Sequence, residues 1–198
     1  MALFRNGKRS IPMCSIHGLA VALTGWVAST LLAPAASMES LEFKPFAMPN
    51  GTPVALVNGI VEDKNGAIWV ATWGEGVHRI EATEWTTYTE LDGLQDDWVR
   101  SIAASRNGGV WVGTGEGLAF IRGDTVQALS PDNFPAQSSA DVFFVHEFSD
   151  GRVWFSTSNG WLLERPADGG DDFNKGWQVR ADPALVGEQP VTQLIEVG

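Results

Sequence analysis

Two tryptophans stand where the rest of the chain would not put them, and they are the residues best suited to meet a ligand. Trp73 is inserted directly after Thr72, where a matching segment further on has Gly115, and Trp161 follows Gly160, where the matching segments have Val77 and Leu118. Indoles beside loops stack on sugar rings and other flat apolar faces while the N–H stays free to donate. Trp73 and Trp161 are therefore the candidate ligand-binding residues. The competing role for both is packing between structural units, and the apolar counterparts of Trp161 favour it there.

Other chemistry finds little support. "GTGEGL" at 113–118 has glycines like a dinucleotide fingerprint, but that motif needs a strand, the glycines and then a helix whose N-terminus meets phosphate. Here the spacing differs and another strand follows. His78 and His146 have no Cys or His at ligand spacing, so no metal site is assigned. Asp96-Asp97 and Asp171-Asp172 lack a calcium-loop pattern and read as solvated loop charges. Neither a nucleophile elbow nor a phosphate-loop lysine is present. Glycoside hydrolysis needs two carboxylates at a set separation, and nothing selects a pair among the 24 acids. No catalytic residue and no cofactor is expected.

The elements that carry the two tryptophans follow from a repeat. Trp69, Trp111 and Trp154 each follow a tight-turn dipeptide, Asn65-Gly66, Asn107-Gly108 or Asp150-Gly151, and each precedes Thr72, Thr114 or Thr157. Upstream, Val57, Val99 and Val142 open a V-x-x-[I/V] pattern, and downstream come Gly76, Gly117 and Gly160. Asn-Gly and Asp-Gly suit a two-residue type I′ turn. The flanking runs of Val, Ile and Trp suit strands. Aromatic segments (Phe43 and Phe46, Trp85 and Tyr88, Trp177) supply a further strand per unit. A four-stranded antiparallel meander every 40-odd residues is the pattern of a β-propeller blade. The repeated tryptophans are expected to fill the space between blades, and the repeated glycines to allow the turns.

The predicted fold is all-β: about three four-stranded blades forming an incomplete ring after an N-terminal signal peptide. Repeats run at about 57–98, 99–141 and 142–190, with 191–198 as the first strand of a further blade. A propeller closes with four to eight blades, so the expectation is a fragment of a longer chain. Residues 1–37 have Arg5, Lys8 and Arg9, then an apolar run from Ile16 to Leu32, then small residues at 33–37. That order is a secretory leader, with an uncleaved anchor as the alternative. Cys14, the lone cysteine, excludes an internal disulfide. The whole chain carries −11; the leader holds three bases and no acid, leaving 10 Lys/Arg against 24 Asp/Glu, or −14. Such a body repels nucleic acid, which is excluded as a partner.

The combined pattern V-x-x-I, Gly, aliphatic-Trp-Val, Thr, Gly resembles the two-component regulator propeller repeat. Val57, Ile60, Glu62-Asp63, Gly66, Ile68-Trp69-Val70, Thr72 and Gly76-Val77 carry it best. The second copy has Ala104-Ser105 in place of the acidic pair, and the third has Phe155-Ser156 in place of aliphatic-Gly. The resemblance implies the ligand-sensing, periplasmic part of a bacterial receptor, membrane-tethered in its full form, with a histidine kinase or diguanylate cyclase as output and a glycan among possible ligands. This chain has no kinase or cyclase motif. Trp-Asp and kelch signatures are missing. The sialidase Asp-box wants Asp two before the Gly, where Lys64, Arg106 and Ser149 stand. The alternatives are part of a secreted propeller lyase or hydrolase, or a scaffolding propeller.

Overall fold

The structure, a computed structural model, describes residues 51, 54 and 56–195 apart from 130 and 169–172. The leader expected at 1–37, Cys14 within it, Phe43, Phe46 and Asp171-Asp172 lie outside the described residues. Three antiparallel sheets follow one another along the chain, each in sequential order. The first contains β1 (Val57–Glu62), β2 (Ile68–Thr72), β3 (Val77–Glu81) and β4 (Glu84–Tyr88). The second contains β5 (Val99–Ala104), β6 (Val110–Thr114), β7 (Gly117–Arg122) and β8 (Thr125–Leu129). The third contains β9 (Val142–Glu147), β10 (Val153–Thr157), β11 (Leu162–Arg165) and β12 (Gln178–Ala181). These are propeller blades. Strands β2, β6 and β7 are buried on both faces, which is why they read as near-continuous apolar runs rather than alternating ones. Helical structure among the described residues is confined to single turns at Glu90–Asp92, Pro131–Asn133 and Pro183–Val186. No helix there is long and apolar enough to cross a membrane.

The hairpin turns differ from the expected type. Gly66 donates to the Asp63 carbonyl and Asp63 donates to Ala67; Gly108 and Ser105, then Gly151 and Phe148, repeat the pattern. Only the glycines take positive φ, at 86°, 86° and 89°, while Asn65, Asn107 and Asp150 do not. The loop is thus a type I turn closed by a glycine bulge, the three-residue hairpin, and not a two-residue type I′ turn. The bulge position of each turn is left-handed, and Gly supplies it without a Cβ clash; in the second turn Gly109 is left-handed as well, at 86°.

The repeated tryptophans sit where blades meet. Trp69 shares one buried cluster with Val99, Val110 and Val112 of the next sheet, and Trp111 shares another with Val142, Val145 and Phe155 of the one after. Trp154 is half-buried and meets Phe148 edge-on at 6.1 Å. The indole N–H is handled differently in each. Trp69 Nε1 donates to Asp63 of its own blade at 2.9 Å. In the second blade Ser105 replaces that Asp, and Trp111 Nε1 donates to Glu147 of the third blade at 2.6 Å. In the third blade Phe148 takes the position, and Trp154 Nε1 has no partner among the described residues.

At the C-terminal end, Val191–Ile195 forms no strand. Ser156 Oγ nevertheless donates to the Val191 carbonyl at 2.6 Å. Its counterpart in the second blade, Gly113, lies against the Val142 carbonyl. Val191 is therefore seated on the third blade much as Val142 is seated on the second.

Candidate functional site

Each blade has two ends. The Asn-Gly turns mark one; the β2–β3, β6–β7 and β10–β11 turns mark the other. Trp73 lies at the second end, and the structure gives it neighbours. Its backbone forms an isolated antiparallel bridge with Trp98, just ahead of β5. The two indoles meet edge to face, 5.4 Å apart at 72°. They stay accessible, at 36% for Trp73 and 50% for Trp98. The pair is held by backbone: Trp73 N donates to Leu56 O, and Gly74 and Gly76 both donate to Asp97 O. The Arg100 guanidinium lies over the Trp73 ring at 4.8 Å. Arg100 in turn makes two hydrogen bonds to Asp141 of the third blade, at 3.0 and 3.2 Å. A line of Trp73, Trp98, Arg100 and Asp141 thus crosses all three blades at one end.

Chemically this line can stack and can attract charge. Two rigid indoles offer a platform for a flat or apolar face, and aromatic faces favour cations. The acidic pair Asp96-Asp97 belongs to the same end, where both carboxylates cap the loop: Asp96 accepts from Trp98 N and Asp97 from Glu90 N. Among the described residues no group of His, Cys, Asp and Glu is arranged to hold a metal ion. Behind the Trp73 loop, His78 is buried, with Nδ1 2.9 Å from Thr87 Oγ1 and Nε2 3.6 Å from Glu75 Oε2. Burial holds its imidazole below the ordinary 6.5, against the upward pull of Glu75. His146 is sandwiched in a ring contact series with Phe144 and Phe148.

Trp161 does not join Trp73. It is half-buried and packs against the core cluster of the second and third blades, its backbone tied to Thr157. Trp98, Arg100 and Asp141 were missed in the sequence. The available signal was Trp98, which replaces Leu56 and Asp141 of the other units at the position before the first strand. A cavity of about 650 Å³ opens at the opposite end, between the second and third blades, with Trp111, Phe120, Arg122, Glu147 and Phe173 in its wall. Glu147 there is already held by Trp111 Nε1 and Arg106 N.

The sequence model of the two-component regulator propeller family matches residues 53–74 and 93–116, so the chain carries that repeat in its first two blades. No curated protein matches the chain. Among solved structures it is similar to the extracellular domain assigned to a hybrid two-component system of B. thetaiotaomicron, at 21% identity and TM-score 0.55, covering 68% of this chain and 18% of that one. A second such domain from the same organism gives 19% and 0.51, covering 67% and 17%. A catalytically inactive virginiamycin B lyase from Staphylococcus aureus, with quinupristin, gives 16% and 0.50, covering 64% and 41%. At these identities the likeness is one of fold, and the chain spans less than a fifth of the two receptor domains.

Proposed function

We propose that this chain is the ligand-sensing propeller portion of an extracytoplasmic bacterial receptor of the two-component or diguanylate cyclase type. Ligand engages the blade end that carries Trp73, and the event is passed to an output domain elsewhere in the receptor. The observation that carries this is the exposed Trp73–Trp98 pair, locked by backbone on blades of the regulator-propeller repeat. Neither indole is needed to fill the core, since the repeated tryptophans Trp69 and Trp111 already do so. Exposed, rigid aromatics on a connecting loop are more informative than apolar residues inside. The likeness in fold to extracellular receptor domains supports the same reading. A leader at 1–37 and a membrane tether belong to it.

The protein then binds its ligand without transforming it. The test is to incubate the purified chain with candidate oligosaccharides and to follow binding and product together. In the cell of origin, the same ligand is expected to change histidine phosphorylation or cyclic-dinucleotide level in a manner that depends on Trp73. Product formation would move the protein to the lyase or hydrolase class. Binding with no change in either output would leave a scaffold.

A further inference from the structure

Charge is distributed very unevenly between the two ends of the blades. The segments linking strands at the Trp73 end are 73–76, 89–98, 115–116, 130–141, 158–161 and 182–190. They hold ten Asp and Glu (one, four, one, two, none and two in turn) and not one Lys or Arg. Among the described residues, the segments at the Asn-Gly end hold four bases, Lys64, Arg106, Arg152 and Lys175, against four acids. Arg100, the second residue of β5, brings one cation beneath the acidic end, but Asp141 neutralises it through two hydrogen bonds. The exposed indole pair is thus set in an entirely acidic rim.

One carboxylate of that rim is incompletely used. Glu75, two residues after Trp73, has an oxygen, Oε2, that accepts no hydrogen bond among the described residues. The nitrogen facing it, Nε2 of the fully buried His78, has none either. The two stand 3.6 Å apart, too far for a hydrogen bond. Both atoms are buried, so the negative charge of Glu75 acts on a ligand at the rim through space and not by a direct bond to Oε2.

We propose that the acidic end binds an oligosaccharide with free amines, an amino-sugar oligomer in its ammonium form. This rests on the reading of that end as the ligand face and names the ligand class. The fixed indoles match the flat C–H face of a pyranose ring. The ammonium groups are drawn by the rim carboxylates, Arg100 already lying over the Trp73 ring. A neutral glycan uses only the stacking half of the site. A sulfated or uronic polymer meets like charge. A lysine-rich peptide meets the charge but offers no flat face to the platform.

The test compares a glucosamine hexamer with an N-acetylglucosamine hexamer and with hexalysine. Binding to the full chain is followed by indole fluorescence and calorimetry at about pH 6, below the range of an amino group. The glucosamine hexamer should bind about tenfold or more tighter than its acetylated twin, and added salt should erode the difference. Trp73→Ala should weaken it by about tenfold, and Trp73→Phe should restore part of the loss. Asp96→Asn combined with Glu116→Gln should weaken the glucosamine hexamer and leave the acetylated one unchanged, with far-UV circular dichroism confirming the fold of each variant. Equal binding of the two hexamers, no binding of either, or hexalysine matching the glucosamine hexamer would overturn the inference. A glucosamine hexamer that binds without any cellular output sinks the receptor reading and leaves this one standing. A neutral glycan that drives the output does the reverse.

Discussion

Asp63 holds both the first tight turn and the first repeated indole. It is buried, and its carboxylate accepts from Asn65 N, Ala67 N and Trp69 Nε1. One group therefore shapes the turn and satisfies the buried indole. Asp63→Ala leaves an indole and two amide donors without their acceptor, two of them buried, and is expected to cost about 2–3 kcal/mol. Urea unfolding measures it; a loss within ordinary surface scatter would show that water replaces the carboxylate. Burial alone would raise this carboxyl, but the bonds from Trp69, Asn65 and Ala67 and the charge of Arg79 outweigh it and hold it below the usual 3.8. A lowered carboxyl gives stability that is present above 3.8 and lost as pH falls through the folded value. His78 has the same sign at higher pH, because burial favours its neutral form: its contribution is present above 6.5 and lost below. The melting temperature should fall first in the mildly acidic range, then again below pH 4, and Asp63→Ala should shrink only the second step, to which Asp150, lowered by its bonds from Arg152, also belongs. Trp111, stacked on Phe173 at 5.6 Å and packed on Phe120 at 4.6 Å, should cost about 3–5 kcal/mol on truncation to Ala. A melting temperature close to that of the parent chain would place it outside the core.

At the scale of elements, the turn joining β3 to β4 carries a visible defect. Ala82 has φ of 54°, in the left-handed region, while Gly123 holds φ of 53° at the matching place between β7 and β8. A Cβ there is strained, and glycine is not. Ala82→Gly should stabilise the chain by about 0.5–1 kcal/mol despite the added freedom of the unfolded state. A lower urea midpoint would mean that the turn relaxes in solution. The blades themselves were legible in the sequence because Val57, Val99 and Val142 mark the same register three times, and runs such as IWVAT and VWVGT have no helical period. The turn type was not. Asn-Gly is compatible with two hairpin geometries, and the choice lies in whether Asp63 pairs with Ala67, which spacing does not record. Trp73 was legible because it breaks the repeat. Arg100 and Asp141 were not, since their pairing depends on how one blade is placed against the next. The candidate Trp161 was legible as an exception, but its position follows the local core rather than the loop surface.

Taken whole, the molecule carries its negative charge asymmetrically. Ten carboxylates share one end of the blades without a Lys or Arg in the same segments, and like charges within a Debye length destabilise the compact state. Raising salt from low to about 0.5 M should therefore raise the melting temperature. Neutralising Asp96 and Glu116 should raise it at low salt and shrink the salt effect. A melting temperature indifferent to salt would show that the capping bonds to these loops, such as Asp97 to Glu90 N, already offset the repulsion. The same variants weaken the proposed amine site, so stability and binding should move in opposite directions.

The two indole acceptors carry a consequence for descent. A blade whose tryptophan is answered from inside, as Trp69 is by Asp63, is portable: duplication, deletion or transplantation carries donor and acceptor together. A blade answered by its neighbour, as Trp111 is by Glu147, travels badly, because it leaves its acceptor behind. Growth of such an array by tandem copying should therefore favour units of the first kind, and a unit of the second kind should be inherited as a pair with the blade that follows it. The first blade, inserted into another propeller of this repeat, should keep its fold; the second should do so only when the insert reaches past Glu147.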